Sequence, residues 1–167
     1  MARMVGNNSD WFLAADWDDN MTYFMDLDWT DGTVKYRQEF ISVPFPYRIH
    51  ISEEKVVVLS TNCCDELKVF NKLRIYDLSG TLMKEVTHLP TGEKIADPRD
   101  VALDPMGNIL LSDSDLGTVV LSGDGSSLLA TLPLDPAPDK MLFYQDKLYT
   151  LVNTEDGPFI NVYKYTF

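Results

Sequence analysis

Four oxygen-bearing side chains stand at matched places along the chain. Asp16, Asn62, Asp113 and Asn153 each come at the end of a short, mostly apolar run: Trp11 to Ala15, Lys55 to Ser60, Asn108 to Ser112 and Lys147 to Val152. Carboxylate and carboxamide oxygens are the ligands that a hard cation such as Ca²⁺ takes. A cation held by such a set polarises a carbonyl or activates a water, so one chemistry open to these residues is metal-assisted hydrolysis. The same residue types also close turns, because Asp and Asn side chains accept hydrogen bonds from nearby backbone amides. A repeat with a turn after every second strand puts them at all four places with no ligand involved.

Other polar residues offer recognition and little else. Arg48 and Arg99 sit near the starts of apolar strands, and Asp115 follows Asp113 in the same turn. With Asn62, Asp113 and Asn153 they form the candidate binding set. Ser122 and Ser126 flank a hairpin with no His or Asp motif beside them, which gives no nucleophile arrangement. Gly123-Asp124-Gly125 is a turn and not a phosphate loop, since no helix carrying a Lys follows. His50 alternates with Arg48 along a strand, and His88 lies far away in a different context. Cys63 and Cys64 are adjacent, a spacing that disfavours a disulfide and lacks zinc-site partners. Trp17 and Trp29 stand in acidic, turn-like settings that suit either an interaction face or packing between sheets.

The elements that must position these residues are short strands. Asp97-Pro98-Arg99-Asp100-Val101-Ala102-Leu103 leads through the turn Asp104-Pro105-Met106-Gly107-Asn108 into Ile109-Leu110-Leu111-Ser112-Asp113. Pro presets φ in that turn and Gly accepts a positive φ. Thr118 to Ser122 and Ser127 to Leu132 complete a quartet around Gly123-Asp124-Gly125. An earlier quartet reads Pro46 to Ile51, Lys55 to Ser60, Lys72 to Asp77 and Leu82 to Val86, with an insertion from Thr61 to Asn71. A later one reads Lys140 to Tyr144, Lys147 to Val152 and Ile160 to Tyr165. At the start, Trp11 to Ala15, Met21 to Leu27 and Thr33 to Phe40 read as three strands, the last two joined at Asp31-Gly32.

A strand quartet repeating every 40–50 residues or so is the pattern of a β-propeller, whose blades bury their faces by stacking on one another. The fold expected is all-β, a propeller segment of about four blades, the first lacking its opening strand and the last its closing strand. Residues 1–167 then form a single propeller domain or the C-terminal part of a larger one. In stacked blades the second-strand ends converge on one face, which is where the four oxygen-bearing residues lie. Open blade edges also favour self-association.

The stretch from Asp97 to Asp113, continuing through Thr118 to Gly125, resembles the NHL repeat. Pro46 to Val86 and Lys140 to Tyr165 resemble it more loosely. The resemblance implies an NHL-like propeller of the kind carried by tripartite-motif ligases, which recognises a protein partner, or RNA, through loops on one face. The insertion Thr61 to Asn71 and the loop Thr91 to Asp97 are the elements expected to set specificity. The ligases' RING and B-box need zinc-spaced Cys and His, which two adjacent cysteines do not supply. A calcium-dependent lactonase of the gluconolactonase or paraoxonase type is the alternative, with Asp16, Asn62, Asp113 and Asn153 as its metal candidates. An RNA-binding propeller is the third.

Charge separates these. Hydrophobic residues make up 45% of the chain and charged residues 24%, an ordinary globular mixture. The formal net charge is −12, which repels phosphate backbones, so nucleic acid is disfavoured as a partner. The N-terminus shows no signal-peptide run, and the apolar runs are too short to cross a membrane. With two free thiols, the expectation is a cytoplasmic protein that contacts no membrane, needs no cofactor and binds a protein partner, with Ca²⁺ and catalysis belonging to the lactonase alternative.

Overall fold

Apolar runs bounded by Asp, Gly and Pro become strands, and each run of strands closes into one antiparallel meander. The computed structural model describes residues 2–5, 10–16, 18–27, 33–61 and 71–165, and every regular element among them is a strand. Sheet one contains β1 (Ala2–Val5), β2 (Asp10–Asp16), β3 (Met21–Leu27) and β4 (Val34–Ser42). Sheet two contains β5 (Pro46–Ile51), β6 (Lys55–Ser60), β7 (Lys72–Asp77) and β8 (Leu82–Val86). Sheet three contains β9 (Pro98–Leu103), β10 (Ile109–Asp113), β11 (Gly117–Leu121) and β12 (Leu128–Leu132). Sheet four contains β13 (Lys140–Tyr144), β14 (Lys147–Thr154) and β15 (Gly157–Lys164).

Sheets two and three match the expected quartets closely. Sheet one departs from expectation: the opening strand expected to be missing is β1, which pairs with β2 from Ala2↔Leu13 to Val5↔Asp10. Sheet four has three strands as expected, but its last hairpin is tighter. β14 runs to Thr154 and β15 begins at Gly157, so only Glu155 and Asp156 separate them. The proposed turn at Asp31-Gly32 lies outside the described residues.

The chain groups into two compact units, Met1–Glu85 and Val86–Phe167. In the first, Leu13 of sheet one packs with Ile49, Ile51, Val56 and Val58 of sheet two, and Ile41 and Val43 close the core. In the second, Ala102, Leu110 and Val120 of sheet three pack on Met141 and Leu148 of sheet four. Two hydrogen bonds stitch this second pair: Ser112 Oγ donates to Pro138 O at 2.6 Å, and the Met141 amide to Asp100 Oδ2 at 2.7 Å. β6 from Val56 onward and the whole of β10 are buried on both faces, as their continuous apolar runs require.

One turn design serves several hairpins. Asp104 Oδ1 accepts the amides of Met106 and Asn108, each at 2.8 Å, while Gly107 takes φ 78°. Asp77 Oδ1 accepts those of Ser79 and Thr81 at 2.9 and 2.8 Å, while Gly80 takes φ 86°. The side-chain carboxylate thus fixes the chain reversal, and glycine supplies the left-handed position.

Candidate functional site

The polar site of the second unit is organised by a buried aspartate. Asp113 ends β10 and has no exposed surface. Its Oδ2 accepts the amides of Ala96 and Asp97 at 3.0 and 3.1 Å. Its Oδ1 accepts those of Asp115 and Leu116 at 2.9 and 3.1 Å. The Ser114 amide completes the lock by donating to Asp97 O at 2.9 Å. The segment before β9 is thereby fastened to the turn after β10.

That lock presents a polar rim. Arg99 Nε donates to Ser114 Oγ at 2.5 Å and Nη2 to Asp97 Oδ2 at 3.0 Å. Its Nη1 stands 3.9 Å from Asp139 Oδ1, just before β13. Asp139 Oδ2 in turn accepts the backbone amide of Asn153 at 2.8 Å and its Nδ2 at 3.0 Å. Asp97, Arg99, Ser114, Asp115, Asp139 and Asn153 therefore share one edge of sheets three and four. The Asp97 and Arg99 side chains remain 55% and 43% exposed, so the rim faces solvent while its geometry is already set.

A guanidinium only donates, so it holds the Ser114 hydroxyl without activating it as a nucleophile. Each Asp113 oxygen already receives two amides, the turn-closing role open to such residues. Asp16 acts the same way in the first unit: its Oδ1 accepts the amides of Asp18 and Asp19 at 3.1 and 3.3 Å. Among the described residues, no group of three or more His, Cys, Asp or Glu is placed to hold a metal ion.

The remaining sequence candidates fall elsewhere. Arg48 is half-buried on β5, with its guanidinium 3.7 Å over the Tyr47 ring and Nη1 donating to Tyr47 O at 2.9 Å. It belongs to the first unit, whereas Arg99, Asp113, Asp115 and Asn153 come together in the second. Asn62, Cys63, Cys64, Trp17 and Trp29 lie outside the described residues. The loop Thr91 to Asp97 is pinned by buried Ile95, whose amide donates a hydrogen bond to Thr87 O at 3.0 Å. Asp97 closes the loop expected to set specificity, whereas sequence reasoning missed Asp139, although it too is the residue before the first strand of its sheet. It also missed the buried Arg74, which donates to Ser60 Oγ at 2.7 Å and Glu85 Oε2 at 3.0 Å. Lys72 joins Glu85 at 2.7 Å, and this pairing holds the Glu85 carboxyl below its ordinary range. Burial pushes His50 down to about 4.

No protein-family model matches the chain, and no curated protein does. Solved structures match it by shape. BamB from Moraxella catarrhalis is 15% identical with a TM-score of 0.59, over 98% of this chain and 42% of that one. A chain of the nidogen/laminin complex is 13% identical with a TM-score of 0.56, over 91% of this chain and 54% of that one. The computationally designed Ika4 protein is 12% identical with a TM-score of 0.55, over 99% of this chain and 90% of that one. The sheets are propeller blades. At these identities the likeness is one of fold, and the chain spans less than half of BamB and about half of the nidogen/laminin chain.

Proposed function

We propose that this chain is an NHL-like propeller module of the cytoplasm that binds a protein partner through the rim around Arg99. The observation that carries this reading is the held guanidinium: Ser114 and Asp97 fix Arg99 while leaving it 43% exposed. A pre-set arginine loses little freedom on binding, and arginine is enriched among residues that dominate interfaces. The partner offers Arg99 a carboxylate or carbonyl, and offers Asp97 and Asp115 a basic or hydrogen-bond-donating group. A structural neighbour from a nidogen/laminin complex supports protein binding by this fold.

The test is affinity capture with the whole chain, followed by titration of the recovered partner against variants. Arg99→Ala and Asp115→Ala each weaken binding about tenfold or more, the range of an interface hot spot. A partner bound equally well by both variants overturns the reading. Millimolar calcium leaves the melting temperature unchanged. A calcium-dependent rise that Asp113→Ala abolishes favours the lactonase alternative instead.

A further inference from the structure

Three Asp-Gly pairs occur in the chain: Asp31-Gly32, Asp124-Gly125 and Asp156-Gly157. Each carries a latent chemistry. Glycine has no Cβ to shield its amide, so that nitrogen can attack the γ-carbonyl of the preceding aspartate and close a five-membered imide. Folding decides whether the attack is open, because it fixes both the carboxyl and the amide. The first pair lies outside the described residues, and the other two sit in contrasting turns.

Asp124-Gly125 is held on both sides. Asp124 Oδ1 accepts the Ser122 hydroxyl at 2.6 Å, the Ser126 hydroxyl at 2.8 Å and the Ser126 amide at 3.0 Å. The Gly125 amide donates to Ser122 O at 2.7 Å, and Gly125 is buried. Electrophile and nucleophile are each engaged elsewhere. Asp156-Gly157 is the opposite case. Glu155 and Asp156 form the two-residue link between β14 and β15, and both are exposed. Among the described residues no group donates a hydrogen bond to the Asp156 carboxylate. A Cβ placed on Gly157 would meet nothing within 4 Å, so the approach to its amide is uncrowded.

We infer that Asp156 is a site of spontaneous covalent modification, in which its link to Gly157 isomerises to isoaspartate. The Gly157 nitrogen bonds to Asp156 Cγ and gives up its proton, while the carboxyl hydroxyl leaves as water. One water then opens the imide. Breaking the original peptide bond leaves Gly157 joined through Cγ, with the α-carboxylate as the new side chain; breaking the new bond restores aspartate. One water leaves and one enters, so no oxidant or cofactor is needed. The product carries one more methylene in its backbone, within a link of only two residues. The last pairs of the hairpin, Asn153↔Pro158 and Thr154↔Gly157, therefore lose register. Asn153 also holds Asp139 through its amide and Nδ2, so the change reaches the polar edge of sheets three and four. The inference stands whether or not that edge binds a partner.

The experiment ages the whole chain in neutral buffer at physiological temperature, digests it and maps the peptides. Isoaspartate leaves the mass unchanged. It is read as a second chromatographic peak of equal mass, and as methyl uptake from S-adenosylmethionine catalysed by an isoaspartyl methyltransferase. Both signals are expected on the Asp156 peptide and neither on the Asp124 peptide. Asp156→Glu loses them, because closure then requires a six-membered ring. The double variant Ser122→Ala with Ser126→Ala gains them at Asp124. Asp156 and Ser126 are exposed and Ser122 is half-buried, and unchanged strand-rich circular dichroism confirms that the variants fold. Equal conversion at Asp124 and Asp156 in the folded chain overturns the inference. So does an unmodified Asp156, or a double variant that leaves Asp124 silent. In the converted fraction the peptide containing Asn153 exchanges its amide hydrogens faster, and an unchanged rate overturns the loss of register.

Discussion

Asp113 is a carboxylate without solvent, and four amides take the place of water around it. Asp113→Ala leaves those donors buried without an acceptor, at a cost of roughly 2–4 kcal/mol. Asp113→Asn costs nearly as much, because its NH₂ faces two N–H groups that can only donate. Chemical denaturation of both variants measures this, and a neutral Asn variant refutes the capping role. His50 makes a second residue-level prediction. Its Nδ1 is buried with no hydrogen-bond partner among the described residues, and burial lowers its pKa from 6.5 to about 4. Between those values the unfolded chain takes up a proton that the folded chain refuses. Stability therefore falls as pH drops from about 6.5 toward 4, by up to ~3 kcal/mol. His50→Gln flattens the decline above pH ~5.5, where ordinary carboxylates are almost wholly ionised. An unaltered slope in a pH series of denaturant melts counts against it.

At the scale of elements, turn chemistry decides both stability and legibility. Gln145 and Asp146 join β13 to β14 with φ of 48° and 58°, the left-handed pair of a two-residue hairpin turn that favours an asparagine followed by a glycine. The double substitution Gln145→Asn with Asp146→Gly removes strain of roughly 1 kcal/mol. Thermal melts should show the stabilisation, and a loss places the turn in another geometry. Sheets two and three are readable because β-branched and apolar runs such as Val101 to Leu103 end abruptly at Asp, Gly or Pro. β1 is not, because Ala2-Arg3-Met4-Val5 is a four-residue run with no alternation and no turn signal before it. Arg99, Asp113 and Asn153 are visible from their matched positions. Asp139 gains its meaning only when sheet four brings it within 3.9 Å of Arg99, a placement that spacing within a single strand does not carry. Arg74 misleads for a related reason. Lys72, Arg74 and Tyr76 alternate like a solvent-facing row, yet Arg74 is 7% exposed because Ser60 and Glu85 satisfy it from the adjacent strands.

For the whole molecule, the net charge of −12 decides which partners approach. RNA binds by neutralising many phosphates with Lys and Arg, and its affinity falls steadily with salt. At ionic strengths near 0.01 M the screening length is about 30 Å, so a phosphate backbone meets the field of the entire chain and is repelled. Near 0.15 M the length is about 8 Å, and the backbone meets only local groups, among which Arg99 is already paired with Asp97. RNA should therefore show no saturable retention at either strength. Filter binding measures this, and tight retention that weakens steeply with salt overturns the charge argument.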